Sequence, residues 1–291
     1  FKRVGLIDEA FSAKMNKFAF AVALPALLFQ DISAVDIRES WNGGFVLFCF
    51  IATFLSITGV TVLSFFVVKR EERGEFVQGA YRSSAAILGI AFIQNIYGTS
   101  GMAPLMIIGT VPLYNAFAVI VLSLLKPGQR KMDKALLQKT LKGIVTNPII
   151  LGIAAGFVWA ILKIPQPEIL QKTVKNMAVL ATPLGLMAMG ASFEGKKALG
   201  KLKPTLIASA LKLVVLAAIF LPIAVWLGYR ESELVAILVM LGSATTVSSF
   251  VMARNMGHEG ILTSSIVMVT TLCSAFTLTG WLFLLKTLGL V

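Results

Sequence analysis

Two apolar stretches of the sequence carry an unusual number of hydroxyl, amide and glycine residues. One runs from Arg82 to Gly98 and the other from Leu241 to Gly257. Ser and Thr side chains can bond to the backbone of their own helix and loosen it, and glycine weakens a helix further. A helix broken in an apolar medium exposes free amides and a positive end, and both attract anions. These stretches therefore predict non-covalent binding of an anion.

The candidate binding residues come from these two stretches and from the apolar segment that follows the first. They are Ser84, Gly89, Asn95, Asn115, Thr245, Thr246, Ser248 and Ser249. Small polar residues also serve helix packing, which accounts for any single hydroxyl, but two similar stretches together favour a site. Arg82 and Arg254 lie at the cytoplasmic ends of the two broken helices. They are interpreted mainly as anchors at the cytoplasmic surface, with a weaker role in attracting anions.

Catalytic and metal-binding chemistry find little support in the sequence. His258 is the only histidine, and Cys49 and Cys273 lie far apart in apolar runs. The 14 acidic residues are assigned to loops and span ends, with Asp31 on the external side. We therefore expect no enzyme activity, metal or cofactor. Because no acid is expected at mid-membrane, movement of an anion without a coupled proton or sodium ion is favoured.

The composition places the chain in a membrane. Apolar residues make up 57% and charged residues 14% of the 291 residues, and the mean hydropathy is +0.86. A soluble domain usually has about 25% charged residues, so a soluble or disordered protein is excluded. The predicted class is all-α and integral to the membrane. Apolar runs predict spans at 18–30, 45–68, 83–98, 102–125, 144–163, 177–193, 204–227, 234–252 and 262–285.

The net charge of +12 reflects topology rather than nucleic acid binding. Alternate loops hold 19 of the 26 Lys and Arg residues and the other loops hold 6, while Lys212 lies inside a span. Cytoplasmic loops are rich in such cations. Residues 126–142 and 194–203 are therefore expected in the cytoplasm, and residues 31–44 and 228–233 outside. The Lys212 side chain either reaches the interface or makes an internal salt bridge or anion contact.

An internal repeat divides the chain. At an offset near 160, Asn95 falls on Asn255 and Pro25 on Pro183. Five spans separate equivalent helices, so the halves would have opposite orientations, as in many secondary transporters. The span at 144–163 lacks a counterpart, which predicts ten helices in two inverted repeats of five, with the first helix absent from this chain. Residues 1–125 form the first repeat, 126–143 a cytoplasmic linker and 144–291 the second repeat.

Several short segments resemble the auxin efflux carrier family, related to the plant PIN carriers, in order and spacing along essentially the whole chain. They are Lys2–Asp8, Leu24-Pro25, Asn147–Gly152, Phe250–Ala253 and His258–Leu262. The resemblance implies scaffold and transport domains that each draw on both inverted repeats. It also implies that broken helices, here 83–98 and 234–252, cross at mid-membrane beside an organic anion. Ser84, Ala91, Ala244 and Ser249 replace an Asn and prolines common in the family, so a less sharp break is expected.

The resemblance also implies a function. A bacterial, PIN-like member would be a multi-pass permease or efflux carrier of the cytoplasmic membrane. It would move a small organic anion such as a carboxylate by an elevator or rocking mechanism. Its partners would be that anion and the lipid bilayer, with a homodimer left open. A sodium-coupled symporter of the bile-acid type and a membrane-embedded sensor are the alternatives; the first would need carboxylates near the crossing, and the second an attached soluble domain.

Overall fold

The structure, a computed structural model, describes residues 1–2, 4–34, 42–99, 101–128 and 134–291, without the side chains of 87–89, 134 and 135. These residues form helices and no strands, which confirms the predicted all-α class. The α-helices are α1 Glu9–Phe18, α2 Leu24–Ser33, α3 Gly43–Val67, α4 Arg73–Tyr81, α5 Ala85–Tyr97, α6 Ala103–Leu124, α7 Lys134–Val145, α8 Pro148–Leu162, α9 Glu168–Val179, α10 Ala181–Ser192, α11 Gly195–Leu199, α12 Leu202–Ala210, α13 Leu216–Trp226, α14 Glu231–Gly242, α15 Ser248–Asn255 and α16 Ile261–Thr287. Short π-helical segments at Ala19–Ala23 and Leu211–Val215 join α1 to α2 and α12 to α13, and a 3₁₀ turn at Arg70–Glu72 precedes α4.

Six helical stretches in the described part of the chain are long and apolar enough to cross a membrane. They are Glu9–Ser33, Gly43–Val67, Ala103–Leu124, Glu168–Ser192, Leu202–Trp226 and Ile261–Thr287. A seventh is obtained if residues 136–145 of α7 and α8, which meet at a bend of 47°, form one span. The protein therefore crosses the membrane several times. The lipid-facing surfaces explain why large apolar side chains such as Phe66, Trp226 and Phe276 are exposed.

The two polar stretches form interrupted helices. α4 ends at Tyr81 and α5 begins at Ala85, while α14 ends at Gly242 and α15 begins at Ser248. The sequence prediction of a first broken helix at 83–98 was wrong in its boundary, because that range covers only the second half. The charged residues Arg73 and Glu75 lower the hydropathy of α4, and for this reason the sequence pattern predicted a loop there.

Both interruptions leave the helical conformation although neither contains proline. Arg82 and Ser243, which follow α4 and α14, both adopt extended backbone conformations. The two interruptions, residues 82–84 and 243–247, meet directly, since the amide of Ser84 donates to the carbonyl of Ala244 at 3.0 Å. We call this meeting point the crossing. The expectation of a less sharp break than in the family stays a prediction, while hydrogen bonds between the segments replace the bonds that each helix loses.

Side-chain hydroxyls complete the hydrogen bonding at the crossing. Ser83 Oγ donates to the carbonyl of Met240, and Thr245 Oγ1 donates to that of Gly79 at 2.7 Å. The amide of Thr245 donates to Thr270 Oγ1 at 3.1 Å. The hydroxyl-rich composition of these stretches therefore has a structural role as well as any role in binding, because a buried backbone group without a partner is costly.

The helices pack in two groups, with the crossing inside the larger one. The three-helix bundle consists of the stretch formed by α1 and α2, the helix α8, and the stretch formed by α9 and α10. In it, α2 packs on α8 and α9, and α1 packs on α10. In the crossing bundle, made of α3–α6 and α12–α16, α3 packs on α4 and α6, α14 packs on α5 and α13, and α16 packs on α12. The groups meet where α6 contacts α8 and where α15 contacts α1 and α10.

The loops gather at two opposite ends of the helices, in the alternation that the charge pattern predicts. At one end, Asn42 Nδ2 donates to Glu233 Oε1 at 3.2 Å. At the other, Lys201 pairs with Glu72 at 3.4 Å and with Glu259 at 2.9 Å. The hydrogen bond and charge of Lys201 hold the pKa of Glu259 below its usual value. Positions 35–41 and 129–133 of the predicted loops lie outside the described residues.

Glycines allow α2 and α8 to approach closely. A Cβ atom on Gly152 of α8 would lie 2.7 Å from the carbonyl oxygen of Pro25 on α2. That oxygen belongs to the backbone and cannot move independently of its helix. A Cβ on Gly59 in α3 would meet no atom within 4 Å. Small residues at such contacts are typical of membrane helix pairs.

We expect Gly152→Ala to lower the thermal stability of the purified protein, by about 1–3 kcal/mol, because the new methyl group separates α2 from α8. Gly59→Ala is the control, and should leave stability unchanged or raise it through better helix propensity. Melting followed by tryptophan fluorescence would measure both. Equal stability of the two variants would contradict the close contact.

Glu75 holds the beginning of α16. The side chain is 2% exposed, and it accepts hydrogen bonds from the amides of Gly260 and Thr263, each at 2.9 Å, and from Thr263 Oγ1 at 3.0 Å. Gly260, the N-cap residue of α16, has no side chain that could accept these hydrogen bonds. A carboxylate also suits the positive end of a helix. Glu75 lies in the first turn of α4, which is one of the span ends to which the sequence assigned the acids rather than a loop.

Replacing Glu75 with alanine should destabilise the protein by about 1–3 kcal/mol, since two buried amides lose their acceptor. Glu71→Ala provides a matched control, because Glu71 is an exposed acid on the adjoining 3₁₀ turn. The measurement is the thermal unfolding of both variants in the same detergent. A Glu75 variant as stable as the Glu71 variant would show that the cap contributes nothing.

Candidate substrate site at the helix crossing

Arg82 is the first residue of the first interruption, and its side chain lies inside the protein. It is 2% exposed. Its Nη2 atom donates to Asn115 Oδ1 at 2.7 Å and to Ser248 Oγ at 2.8 Å, and Nη1 contacts Met252 Sδ at 2.9 Å. The interpretation of Arg82 as a surface anchor was therefore wrong. It rested on placing residues 69–82 in a loop, whereas α4 carries Arg82 from the surface to the crossing.

The guanidinium of Arg82 has no acidic partner among the described residues. Its hydrogen-bond acceptors are a neutral amide, a hydroxyl and a thioether, and Nε has no partner. Removing a charge from water costs several kcal/mol unless another charge compensates it. An unpaired cation inside a membrane protein is therefore a candidate for binding a charged ligand.

Two helix N-termini lie beside Arg82. α5 begins after Ser84 and α15 after Val247, and in neither does a side chain cap the first turn. Such ends carry a partial positive charge that favours anions, although the amides of Ser249 and Phe250 in α15 already donate to the carbonyls of Thr246 and Val247. Ser248, which accepts from Arg82, is the first residue of α15. The positive ends and the guanidinium thus act in the same direction on an anion.

A narrow cavity of about 50 Å³ adjoins this group, which is room for a few water molecules. The crossing bundle contributes the polar wall, and α2 contributes an opposite wall that is mostly leucine. The lining residues are Leu24, Leu27, Leu28, Asp31, Arg82, Ser83, Ser84, Ala85, Ala86, Val111, Tyr114, Asn115, Thr246 and Ser248. A ligand larger than a few waters requires these walls to move apart.

Four of the predicted binding residues meet at this cavity with Arg82. Ser84, Asn115, Thr246 and Ser248 all line it. Thr246 Oγ1 and Ser248 Oγ lie 3.2 Å apart, and Asn115 Nδ2 donates to the carbonyl of Val111 at 2.9 Å. Asn115 is thereby held with its oxygen toward Arg82.

The other predicted residues lie elsewhere. Thr245 is used by the backbone of the crossing, as described above. Ser249 is buried and its Oγ has no partner, while its carbonyl accepts from Gln78 Nε2 at 2.9 Å. Asn95 is exposed near the far end of α5. Gly89 lies in α5, outside the residues whose surroundings are described.

Arg254 belongs to a separate, wider cavity of about 470 Å³ at the end of the molecule that carries Lys201. Its Nη1 donates to the carbonyl of Glu259 at 3.0 Å and its side chain is exposed. Lys2, Lys17, Asn16 and Asn255 line the same cavity, between α1 and α15. Its position agrees with the interpretation of Arg254 as a residue at the membrane surface.

Lys212 does not reach the interface, and its internal partners among the described residues are backbone carbonyls rather than an acid. It is fully buried, and Nζ donates to the carbonyls of Leu241 at 2.5 Å and Met240 at 3.3 Å. These carbonyls end α14, where a cation suits the negative end of the helix. The single Lys within an apolar span was the signal for such a role.

Two titratable residues of the cavity wall were not among the binding residues that the sequence predicted. Tyr114 lines the cavity and donates from its hydroxyl to the carbonyl of Met240 at 2.8 Å. Asp31, assigned to the external side, belongs to the span Glu9–Ser33 and lines the cavity. Its spacing from Leu24, Leu27 and Leu28 along α2 could have placed it on this face.

The known proteins that this chain resembles are membrane transport proteins. A family described as "Membrane transport protein" matches residues 1–282. A protein of Rhizobium meliloti (strain 1021) named "Putative malonate transporter" is 26% identical over 283 residues, which cover 94% of this chain and 86% of that protein. These matches confirm the resemblance to the auxin efflux carriers. The chain belongs to the membrane transport protein family, and it is a multi-pass membrane transporter.

Proposed function

We propose that the protein is a secondary transporter that moves a small organic anion across the membrane, with Arg82 as the residue that binds the anion. The observation that carries this proposal is the guanidinium of Arg82, buried at the helix crossing without an acidic partner among the described residues. A carboxylate can accept two parallel hydrogen bonds from a guanidinium. Such a ligand would compensate a charge that the protein leaves uncompensated.

The electrostatic setting of Arg82 supports an anion in particular. The guanidinium donates to the first residue of α15, so it lies at the positive end of a helix, where a cation is unfavourable. Lys212 differs, since it lies at the negative end of α14. An anion between Arg82 and the amides of α5 and α15 would interact favourably with all three groups.

The substrate class that we propose is a small carboxylate of the malonate type. The cavity is small, its wall on the crossing bundle carries a guanidinium, an amide and hydroxyls, and the Rhizobium meliloti relative carries the name of a malonate transporter. One carboxylate would occupy the guanidinium and helix ends. Ser84, Asn115, Thr246 and Ser248 would orient the remainder of the ligand through their hydroxyl and amide groups.

Transport would occur by movement of the crossing bundle against the three-helix bundle. The cavity lies between the two, and its α2 wall consists of three leucines and Asp31, which form no hydrogen bond with the polar wall among the described residues. Such a surface allows sliding without breaking hydrogen bonds. Elevator or rocking motion of this kind would open the cavity alternately to each side of the bacterial cytoplasmic membrane.

The proposed inverted repeat receives support from the backbone. The interruptions begin at Arg82 and Ser243, at an offset close to 160. Glycines with positive φ occur at Gly98 and Gly101 after α5, and again with the same spacing at Gly257 and Gly260 after α15. Left-handed conformations at matching positions favour two copies of one structural unit, divided as proposed into residues 1–125 and 144–291.

We expect Arg82→Gln to weaken malonate binding about 10-fold to 100-fold, because the variant loses a pair of hydrogen bonds between a charged donor and a carboxylate. Its thermal stability should be unchanged or higher, since the variant removes a buried charge. Isothermal titration of the purified protein with malonate measures the affinity.

Arg254→Gln is the matched control, because it removes an exposed Arg at the surface cavity and should retain the affinity of the unmodified protein. Arg82→Lys keeps the charge but loses the planar pair of donors, so its affinity should fall between the two. If the Arg82→Gln variant binds malonate as tightly as the unmodified protein, Arg82 is not part of the binding site.

A further inference from the structure

The cavity has one acidic residue in its wall. Leu24, Leu27, Leu28 and Asp31 follow one another at helical spacing and form the α2 face that lines it. The three leucines are apolar, so the carboxyl of Asp31 is the only acidic group among the lining residues. It lies on the three-helix bundle, whereas Arg82 lies on the crossing bundle on the other side of the cavity.

Asp31 and Arg82 do not form an ion pair in this arrangement. The hydrogen bonds of Arg82 go to Asn115, Ser248 and Met252, and the Asp31 side chain is half-buried. An anion bound to Arg82 would therefore enter a cavity that already contains a carboxyl group. Two negative charges in one small cavity of low dielectric constant repel strongly.

We propose that Asp31 is a proton-binding site coupled to the anion: the carboxylate takes up a proton when the anion binds and releases it when the anion leaves. This inference rests on the proposed function. Protonation adds one hydrogen to a carboxylate oxygen of Asp31 and removes one negative charge from the cavity. The proton comes from water on the side to which the cavity is open. Binding of the anion and binding of the proton are then coupled, in contrast to the uncoupled movement that the sequence favoured.

Few other charged groups face Asp31. From the crossing bundle, the cavity contains Arg82 and the phenol of Tyr114, and Tyr114 is the only titratable residue of α6. α8 carries no charged residue, and Lys163 immediately after it is exposed. The charged residues of α9 are exposed, and two of them, Glu168 and Lys172, pair with each other at 2.5 Å. Asp31 is thus the group that can change its charge beside a bound anion.

The arrangement also accounts for the empty carrier. When the anion leaves, Asp31 loses its proton and Arg82 loses its ligand. The cavity then contains one negative and one positive group on opposite walls, which attract each other across the boundary between the bundles. This attraction across the cavity would lower the cost of burying Arg82 while the binding site is vacant, without the hydrogen-bonded pair that a bound carboxylate would form.

The test compares wild type with Asp31→Asn in calorimetric titrations with malonate. Titrations in buffers of different ionisation heat give the number of protons taken up for each malonate bound. Any protonation change of malonate itself is the same in both proteins. The difference in proton uptake between them is therefore due to Asp31. We expect wild type to take up as much as about one proton more than the variant, and its affinity to fall up to about tenfold for each pH unit as Asp31 ionises.

Two further variants make the result specific. Asp31→Glu keeps a carboxyl group and should restore the proton uptake, and Glu168→Gln removes an exposed acid from α9 and should behave as wild type. Equal proton uptake by wild type and Asp31→Asn, with malonate binding retained, would overturn the role of Asp31 and leave the proposed function standing. Absence of malonate binding in wild type would overturn both for this ligand.

Discussion

Backbone amides and carbonyls at the centre of a membrane protein must find partners within the protein, and the crossing depends on this constraint. Two helices give up their regular bonds at the same depth, and the amide of Ser84 meets the carbonyl of Ala244. Hydroxyls of Ser83, Thr245 and Thr270 pair with further groups. Because these bonds satisfy the interruptions, the ends of α5 and α15 can remain open beside a cavity.

The charges buried in the crossing bundle follow the direction of its helices, with one exception. Glu75 lies at the positive end of α16, and Lys212 lies at the negative end of α14. Both are therefore stabilised by the helices that they cap. Arg82 is at the positive end of α15 instead. This contrast separates charges that hold the fold together from a charge whose favourable partner must come from outside it.

The sequence predicted the helical class and most spans because long apolar runs are a strong signal. It also located the two polar stretches, since hydroxyls are conspicuous in such a background. It failed at α4, where Arg73 and Glu75 made half of a broken helix read as a loop, and this error moved Arg82 to the surface. Hydropathy averages over neighbours, whereas the cap that Glu75 forms joins residues 185 or more positions apart.

The separate roles of Thr245 and Thr246 could not be predicted either. They are adjacent and chemically identical, yet Thr245 bonds to the backbone of α4 while Thr246 faces the cavity. In an extended segment, neighbouring side chains point to opposite sides. Only the position of the interruption decides which of them is structural, and a composition-based argument treats both alike.

Two fixed cations, Arg82 and Lys212, lie within the crossing bundle. If this bundle shifts across the membrane while the three-helix bundle stays in place, both charges travel through part of the transmembrane electric field. Moving one elementary charge through the whole field involves about 2.3 kcal/mol per 100 mV. The reorientation itself would then displace charge before any substrate is added. A membrane voltage would set the side on which the vacant carrier rests, and a sudden voltage step would produce a brief capacitive current.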